Sequence, residues 1–145
     1  MHPMSIIIKF FSAPDDAAAA AVVDLGPDGV FESLYSGNFD AEEALIEWES
    51  ILTDRDFEEL VAAEEPGVVA DGEGPMVLVA SRTLQNMLAA ADPPRLAELS
   101  ESWVRLRAAD GEAFDEEMAA GLLDDLARLA RSVDGREDRL YCWLA

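Results

Sequence analysis

The sequence predicts an α+β fold in which a small sheet, including N- and C-terminal strands, is covered by several helices. Residues 5–11 and 139–144 are short apolar stretches with β-branched or aromatic side chains, which is typical of strands. Much of the chain between them repeats apolar residues at helical spacing. With 145 residues, half of them hydrophobic, the chain is long enough to bury one core of its own. We therefore expect a single domain over residues 1–145.

The segment after the first strand predicts a helix, a turn and one ambiguous stretch. Pro14 and the acidic pair that follows it open an alanine-rich helix that ends near Val23. The Gly-Pro-Asp-Gly sequence at residues 26–29 marks a turn. Residues 30–35 are ambiguous between helix and strand.

The clearest helix covers residues 41–52, where the apolar side chains form one stripe. Asp40 stands at the N-cap position, with Glu43 at the third helical position, as in a capping box. The opposite side of this helix is acidic, so we expect it to face solvent. A second acidic helix is predicted over residues 54–65, with three apolar side chains turned inward: Phe57, Leu60 and Val61.

The second half of the chain predicts a loop, a strand and three helices. Residues 67–75 contain three glycines and are expected to form a loop, and residues 76–80 a buried strand. Ser81 is expected to cap the first helix, and Pro93 and Pro94 lie in the first turn of the second. The last helix is predicted over residues 114–133 and ends at Asp134-Gly135. Leu106 and Met118 are among the side chains that this periodicity turns inward.

The net charge of -21 excludes several partners. Nucleic acids and anionic membrane surfaces are bound by clustered Lys and Arg, which this chain lacks. No apolar run approaches the length of a transmembrane helix, and the first residues lack the pattern of a secretory signal. A single cysteine forms no internal disulfide. We therefore expect a cytoplasmic protein, either a monomer or a small homo-oligomer.

The sequence offers little for catalysis. The single imidazole is that of His2 near the N-terminus, and Cys142 lies in a predicted strand, where a buried thiol is expected. Zinc needs three or four Cys or His ligands, and no EF-hand or phosphate-binding loop is present. Acid pairs such as Glu58-Glu59, Glu64-Glu65 and Asp124-Asp125 could act as acid and base or bind Mg²⁺ or Ca²⁺, but neighbouring acids on a helix point about 100° apart and rarely converge on one site. We predict no catalytic residue, no metal site and no cofactor.

Acidic residues are concentrated in the first half of the chain. Residues 1–75 hold 18 acidic and 2 basic side chains, whereas residues 76–145 hold 13 and 8. This asymmetry fits either a docking face for a basic partner or a solvated surface. Trp48 and Trp103 each lie on a predicted apolar helix face, which favours a place in the core. The alternative is a role at an interface, for which Trp48 is the better candidate because it lies between two glutamates. The candidate binding residues are Glu42, Glu43, Glu47, Trp48, Glu49, Glu58 and Glu59.

Three stretches resemble the YfbM-like family of small, uncharacterised bacterial proteins. They are an acid-capped helix ending in Leu-Thr (40–53), a Gly-Pro segment followed by a strand and a helix (74–89), and a long penultimate helix followed by an apolar strand (114–144). The family's first helix often has a Lys before its Trp and a Leu-His after it, and neither is found here. The resemblance implies an α+β domain in the bacterial cytoplasm and implies no reaction.

These observations lead to one main hypothesis and two alternatives. The main hypothesis is a non-enzymatic interaction module, such as an immunity protein or an inhibitor, that binds a basic protein through the acidic face of residues 40–65. The first alternative is a small-molecule binder or carboxylate-based enzyme with a cleft between helices and sheet. The second is a structural or regulatory subunit, which an exposed apolar patch would indicate.

Overall fold

A computed structural model describes residues 7–36, 39–63, 65–71, 75–133 and 138–145 of the chain. In this part of the chain five strands form one antiparallel sheet: β1 (Ile8–Ala13), β2 (Ser33–Ser36), β3 (Gly67–Asp71), β4 (Met76–Val79) and β5 (Arg139–Leu144). Their order across the sheet is β2-β1-β5-β4-β3. The strands nearest to the two ends of the sequence, β1 and β5, are neighbours that pair from Ile8 with Leu144 to Ala13 with Arg139.

Six helices accompany the sheet in the described residues: α1 (Asp16–Ala20), α2 (Ala41–Thr53), α3 (Phe57–Ala62), α4 (Arg82–Ala90), α5 (Pro93–Ala109) and α6 (Glu116–Ser132). The predicted α+β class is confirmed, including the place of the two terminal strands in the sheet. None of these helices is both long and apolar enough to cross a membrane.

Side chains alternate between the two faces of the sheet, and each face has its own cover. The larger core lies between one face and helices α2, α4, α5 and α6, and its sheet residues include Ile8, Phe10, Leu78, Leu140 and Cys142. The smaller core lies on the opposite face beneath α1 and the segment after it, and its sheet residues include Phe11, Val77, Tyr141 and Trp143. Two polar contacts fix the smaller core, because Trp143 Nε1 donates to Val23 O and the Tyr141 hydroxyl donates to Asp16.

The predicted N-caps of α2 and α4 are confirmed. Asp40 Oδ1 accepts a hydrogen bond from Glu43 N at 3.0 Å, and Ser81 Oγ accepts one from Leu84 N at 3.0 Å. These bonds satisfy backbone N–H groups that have no partner inside the helix. The turn at residues 26–29 is also confirmed, since Gly26 and Gly29 have positive φ angles.

Several local predictions are wrong. Gly67–Asp71 is an edge strand paired with β4 rather than a loop, since an edge position tolerates glycine and acidic residues. The helix predicted over residues 54–65 is only six residues long, with Leu60 buried. Four apolar side chains that we expected inside are at least 38% exposed: Phe57, Val61, Leu106 and Met118. The predictions for His2 and for Asp134-Gly135 lie outside the described residues.

Candidate functional site

The acidic side of α2 is buried at Glu47 and Glu49, which contradicts the expectation of a solvated face there. Helix α2 packs against the sheet residues of the larger core and also contacts α3, α4 and α5. Because it has neighbours on several sides, side chains away from its apolar stripe are covered as well. Glu47 and Glu49 are each 3% exposed, and Trp48 between them is fully buried. These three residues therefore do not form an exposed docking face.

Arg107 on α5 provides the counter-charge for the buried acid. Arg107 is 4% exposed. Its guanidinium contacts four carboxylates. The Nη2 atom lies 2.7 Å from Glu47 Oε2, 3.0 Å from Glu43 Oε1 and 2.6 Å from Asp110 Oδ2. The Nη1 atom lies 3.0 Å from Glu112 Oε1. The cluster of Arg107 with these four acids is called the Arg107 cluster below.

Glu47 also accepts a hydrogen bond on its second oxygen. Trp103 Nε1 on α5 donates to Glu47 Oε1 at 3.0 Å, so both carboxylate oxygens have donors. Burial raises the pKa of Glu47 to about 6, although the Trp103 hydrogen bond and the Arg107 charge act in the opposite direction. Glu43 and Asp110 raise the pKa further through charge repulsion. The charge of Glu47 therefore changes near pH 6.

The Arg107 cluster keeps an excess of negative charge. Burial alone would lower the pKa of Arg107, but the carboxylates of Glu47, Glu43, Glu112 and Asp110 outweigh this effect and raise it. Four ionised carboxylates against one guanidinium leave three negative charges without a counter-charge in the cluster. Glu43 is half-buried and Asp110 and Glu112 are exposed, so this excess charge reaches the surface.

A cavity of about 310 Å³ opens beside the cluster, between α2, α3 and the end of α5. Its acidic part consists of Glu43, Glu47 and Asp110, and its apolar part includes Phe57 and Leu106. These two apolar side chains are 38% and 40% exposed, respectively. The cavity with its six lining residues, which include Ser50, is called the α2–α3–α5 groove below. It combines apolar surface with acceptors for a cation, and this combination suits a group with a hydrophobic stem and a positive end.

The acids of the groove do not form an open metal site. One oxygen each from Glu43, Glu47 and Asp110 lie within 4.8 Å of one another. Carboxylates at this separation suit a hard cation such as Ca²⁺. However, Arg107 Nη2 already lies within 3.0 Å of an oxygen of each of the three. The guanidinium thus takes the position that a metal ion needs.

The other predicted binding residues are divided between the interior and the surface. Glu49 accepts a 2.6 Å hydrogen bond from the Ser81 hydroxyl and lies 3.9 Å from Arg55, so it links α2 to the start of α4. Glu42, Glu58 and Glu59 are exposed on α2 and α3. The structure therefore brings Glu43 and Glu47 together in the groove and leaves Glu42, Glu58 and Glu59 on the surrounding surface.

Arg107, Asp110 and Glu112 were not among the sequence candidates, although Arg107 had a detectable signal. Buried positions on α5 include Leu96, Leu99, Trp103 and Arg107. Leu106 and Arg107 follow Trp103 by three and four residues, so spacing allows either to continue the apolar stripe. The structure buries Arg107 and exposes Leu106. A single arginine on the apolar stripe of a helix in a strongly acidic chain indicates a buried acid that faces it.

Comparison with family models, with curated proteins and with solved structures finds no match to this chain. The resemblance to the YfbM-like family therefore stays a prediction.

Proposed function

We propose that this chain is a non-enzymatic, cytoplasmic interaction module that binds a basic protein through the α2–α3–α5 groove and the acidic surface around it. The observation that carries the proposal is the Arg107 cluster, where four carboxylates share one guanidinium beside exposed apolar side chains. A lysine or arginine of the partner would neutralise the excess charge. The apolar stem of that side chain would cover Phe57 and Leu106.

The surroundings of the groove support a protein partner. Glu58 and Glu59 follow Phe57 directly on α3, and Glu42 lies one residue before Glu43 on α2. All three of these glutamates are exposed, so the acidic surface extends beyond the groove. A broad acidic surface attracts a basic protein at long range and accelerates association. An inhibitor or immunity protein that covers a basic active site is one concrete form of this function.

The proposal is tested by capturing the partner from native lysate with three tagged proteins. They are the wild type, Glu58→Lys/Glu59→Lys beside the groove, and Glu98→Lys/Glu101→Lys on exposed positions of α5 as a control with the same change in charge. We expect the wild type and the control to retain the same basic protein at low salt and to lose it at high salt. The groove variant should not retain it. Equal retention by all three proteins would contradict the proposal.

One observation favours a second candidate function, a small-molecule binder or carboxylate-based enzyme. Glu47 lines the cavity, and burial raises its pKa to about 6, which is a property of many acid–base sites. The expected ligand is an organic cation with an apolar body, and benzamidinium is a suitable probe. This candidate predicts that millimolar benzamidinium raises the melting temperature and that Glu43→Gln abolishes the effect. No change in melting temperature would count against it.

A further inference from the structure

Glu43 and Asp110 each use only one carboxylate oxygen within the Arg107 cluster. Glu43 Oε1 and Asp110 Oδ2 accept from Arg107 Nη2 at 3.0 Å and 2.6 Å. Their second oxygens, Glu43 Oε2 and Asp110 Oδ1, accept no hydrogen bond from any residue that the structure describes. Both side chains line the α2–α3–α5 groove, and neither is buried. A ligand in the groove can therefore bond to two acceptors, one on α2 and one on the residue that ends α5.

Glu47 contributes to the groove mainly through its charge. Its Oε1 atom accepts from Trp103 Nε1 at 3.0 Å, and its Oε2 atom accepts from Arg107 Nη2 at 2.7 Å. Both oxygens therefore have donors already, and the side chain is only 4% exposed. Glu47 thus attracts a cation, while the open acceptor positions belong to Glu43 and Asp110.

Arg107 occupies the place where the three groove acids converge. One oxygen each from Glu43, Glu47 and Asp110 lie within 4.8 Å of one another. Because Arg107 Nη2 lies within 3.0 Å of an oxygen of each acid, a second donor atom cannot take that shared position. The oxygens that remain belong to two separate carboxylates. A ligand must therefore carry donors that are spread over more than one atom.

This arrangement favours a guanidinium group over an ammonium group. A guanidinium has five N–H donors in one plane on three nitrogen atoms, so it can bond to two carboxylates at once. The ammonium group of lysine is a compact point charge with three donors on one atom. A guanidinium is also more weakly hydrated and stacks on aromatic rings. It therefore loses less on entering a groove that Phe57 and Leu106 also line.

We propose, building on the proposed function, that the α2–α3–α5 groove selects an arginine side chain of the partner protein. Its guanidinium would bond to the second oxygens of Glu43 and Asp110, and its apolar stem would lie over Phe57 and Leu106. Arg107 is a positioning residue for this contact, because it holds one oxygen of each acid and leaves the other to the partner. A second guanidinium is tolerated here because the cluster has three negative charges in excess.

Isosteric amides separate the contact with the partner from the contact with Arg107. In Glu43→Gln and Asp110→Asn the amide oxygen can still accept from Arg107, but an NH₂ group replaces the second oxygen. An NH₂ group is a donor and cannot accept from a guanidinium. Glu112→Gln is the matched control, because Glu112 lies 3.0 Å from Arg107 Nη1 and is not among the residues that line the groove. All three substitutions remove one negative charge from the same cluster.

The test is an NMR titration of the isotope-labelled full chain at physiological ionic strength. The probes are two tripeptides of equal charge, acetyl-Ala-Arg-Ala-amide and acetyl-Ala-Lys-Ala-amide. The indole N–H signal of Trp103 reports on the buried end of the groove, because this group donates to Glu47. We expect the arginine peptide to shift this signal and to bind about tenfold more tightly than the lysine peptide.

The variants locate the selectivity in the two acids. Glu43→Gln and Asp110→Asn should each bring the affinity for the arginine peptide down to about that for the lysine peptide, whereas Glu112→Gln should keep most of the preference. Thermal unfolding checks that the variants are folded, and the comparison of the two peptides on the wild type needs no variant.

Three outcomes would overturn the proposal. They are equal affinities of the two peptides for the wild type, an arginine peptide that leaves the signals of Trp103 and of the groove unchanged, and a loss of preference in Glu112→Gln as large as in Glu43→Gln.

The proposed function is tested separately by capture of the partner with Glu58→Lys/Glu59→Lys. If that variant loses the partner but the two peptides bind equally, a basic partner occupies the groove without selection for arginine, and only the further proposal is wrong. If that variant retains the partner as the wild type does, the proposed function is wrong whichever peptide binds.

Discussion

Arg107 Nη2 lies 2.7 Å from Glu47 Oε2, and both side chains are at most 5% exposed. This pair joins α2 to α5 at the point where the larger core meets the acidic surface. Buried ion pairs contribute little net stability compared with apolar packing, but the removal of one partner leaves a buried charge without compensation. The pair therefore holds the buried end of the α2–α3–α5 groove in place.

Loss of the guanidinium should destabilise the fold strongly. Arg107→Ala leaves Glu47 buried without its counter-charge, and we expect the free energy of unfolding to fall by about 3–5 kcal/mol. Urea denaturation followed by circular dichroism measures the change. Arg105→Ala, two residues away on the same helix and exposed, is the control and should change stability by less than about 0.5 kcal/mol. Similar losses in the two variants would contradict a specific role for the Arg107 cluster.

The raised pKa of Glu47 predicts a pH dependence with a definite sign. The folded protein holds this proton up to about pH 6, whereas an unfolded glutamate releases it near its ordinary pKa of about 4.3. The native state thus binds more protons in this window, and the contribution of Glu47 to stability falls as the pH rises through it. The stability of the wild type relative to Glu47→Gln should decrease between about pH 4.3 and pH 6 and then stay level. A relative stability that rises with pH would show that the pKa is lowered instead.

The two buried tryptophans should respond differently to the same substitution. Trp103 Nε1 donates to Glu47, whereas Trp48 Nε1 is buried without an acceptor in the described part of the chain. Trp103→Phe and Trp48→Phe both reduce ring size, but only the first leaves a buried carboxylate oxygen without its donor. We expect Trp103→Phe to cost about 1–3 kcal/mol more than Trp48→Phe in urea unfolding. Equal losses would mean that the hydrogen bond to Glu47 contributes nothing to stability.

Gly121 should be replaceable with a gain in stability. Since an added Cβ meets nothing within 4 Å, Gly121→Ala is expected to stabilise the protein by up to about 1 kcal/mol through helix propensity. The reverse change at an exposed position of α5, Ala97→Gly, should destabilise it by a similar amount. Calorimetric melting temperatures report both effects. A destabilised Gly121→Ala protein would indicate a packing role for this glycine that the structure does not contain.

Local signals in the sequence predicted most of the secondary structure. The N-caps Asp40 and Ser81 depend on residues only three positions apart, so the chain specifies them without reference to the rest of the fold. The strands near the two ends were also recognisable from composition. Gly67–Asp71 was missed because its strand conformation comes from pairing with β4, which local composition does not report.

The candidate site was only partly predictable, and the reason is the environment of α2. A helix with one apolar stripe is expected to expose its other side, but α3, α4 and α5 cover that side at Glu47 and Glu49. The sequence identified Glu43 and Glu47 as binding candidates. It did not identify the four-carboxylate arrangement, because that arrangement depends on the packing of α5 against α2.

Two apolar residues on the short helix α3 test whether a basic partner occupies the α2–α3–α5 groove. Phe57 lines the groove, whereas Val61 is 49% exposed and does not line it. Isothermal titration of the captured partner with wild type, Phe57→Ala and Val61→Ala at two salt concentrations gives the dissociation constants. We expect Phe57→Ala to weaken binding about tenfold or more and Val61→Ala to leave it unchanged. Salt should weaken binding for all three proteins. Equal affinities of Phe57→Ala and Val61→Ala, or an affinity that salt does not change, would contradict the proposed function.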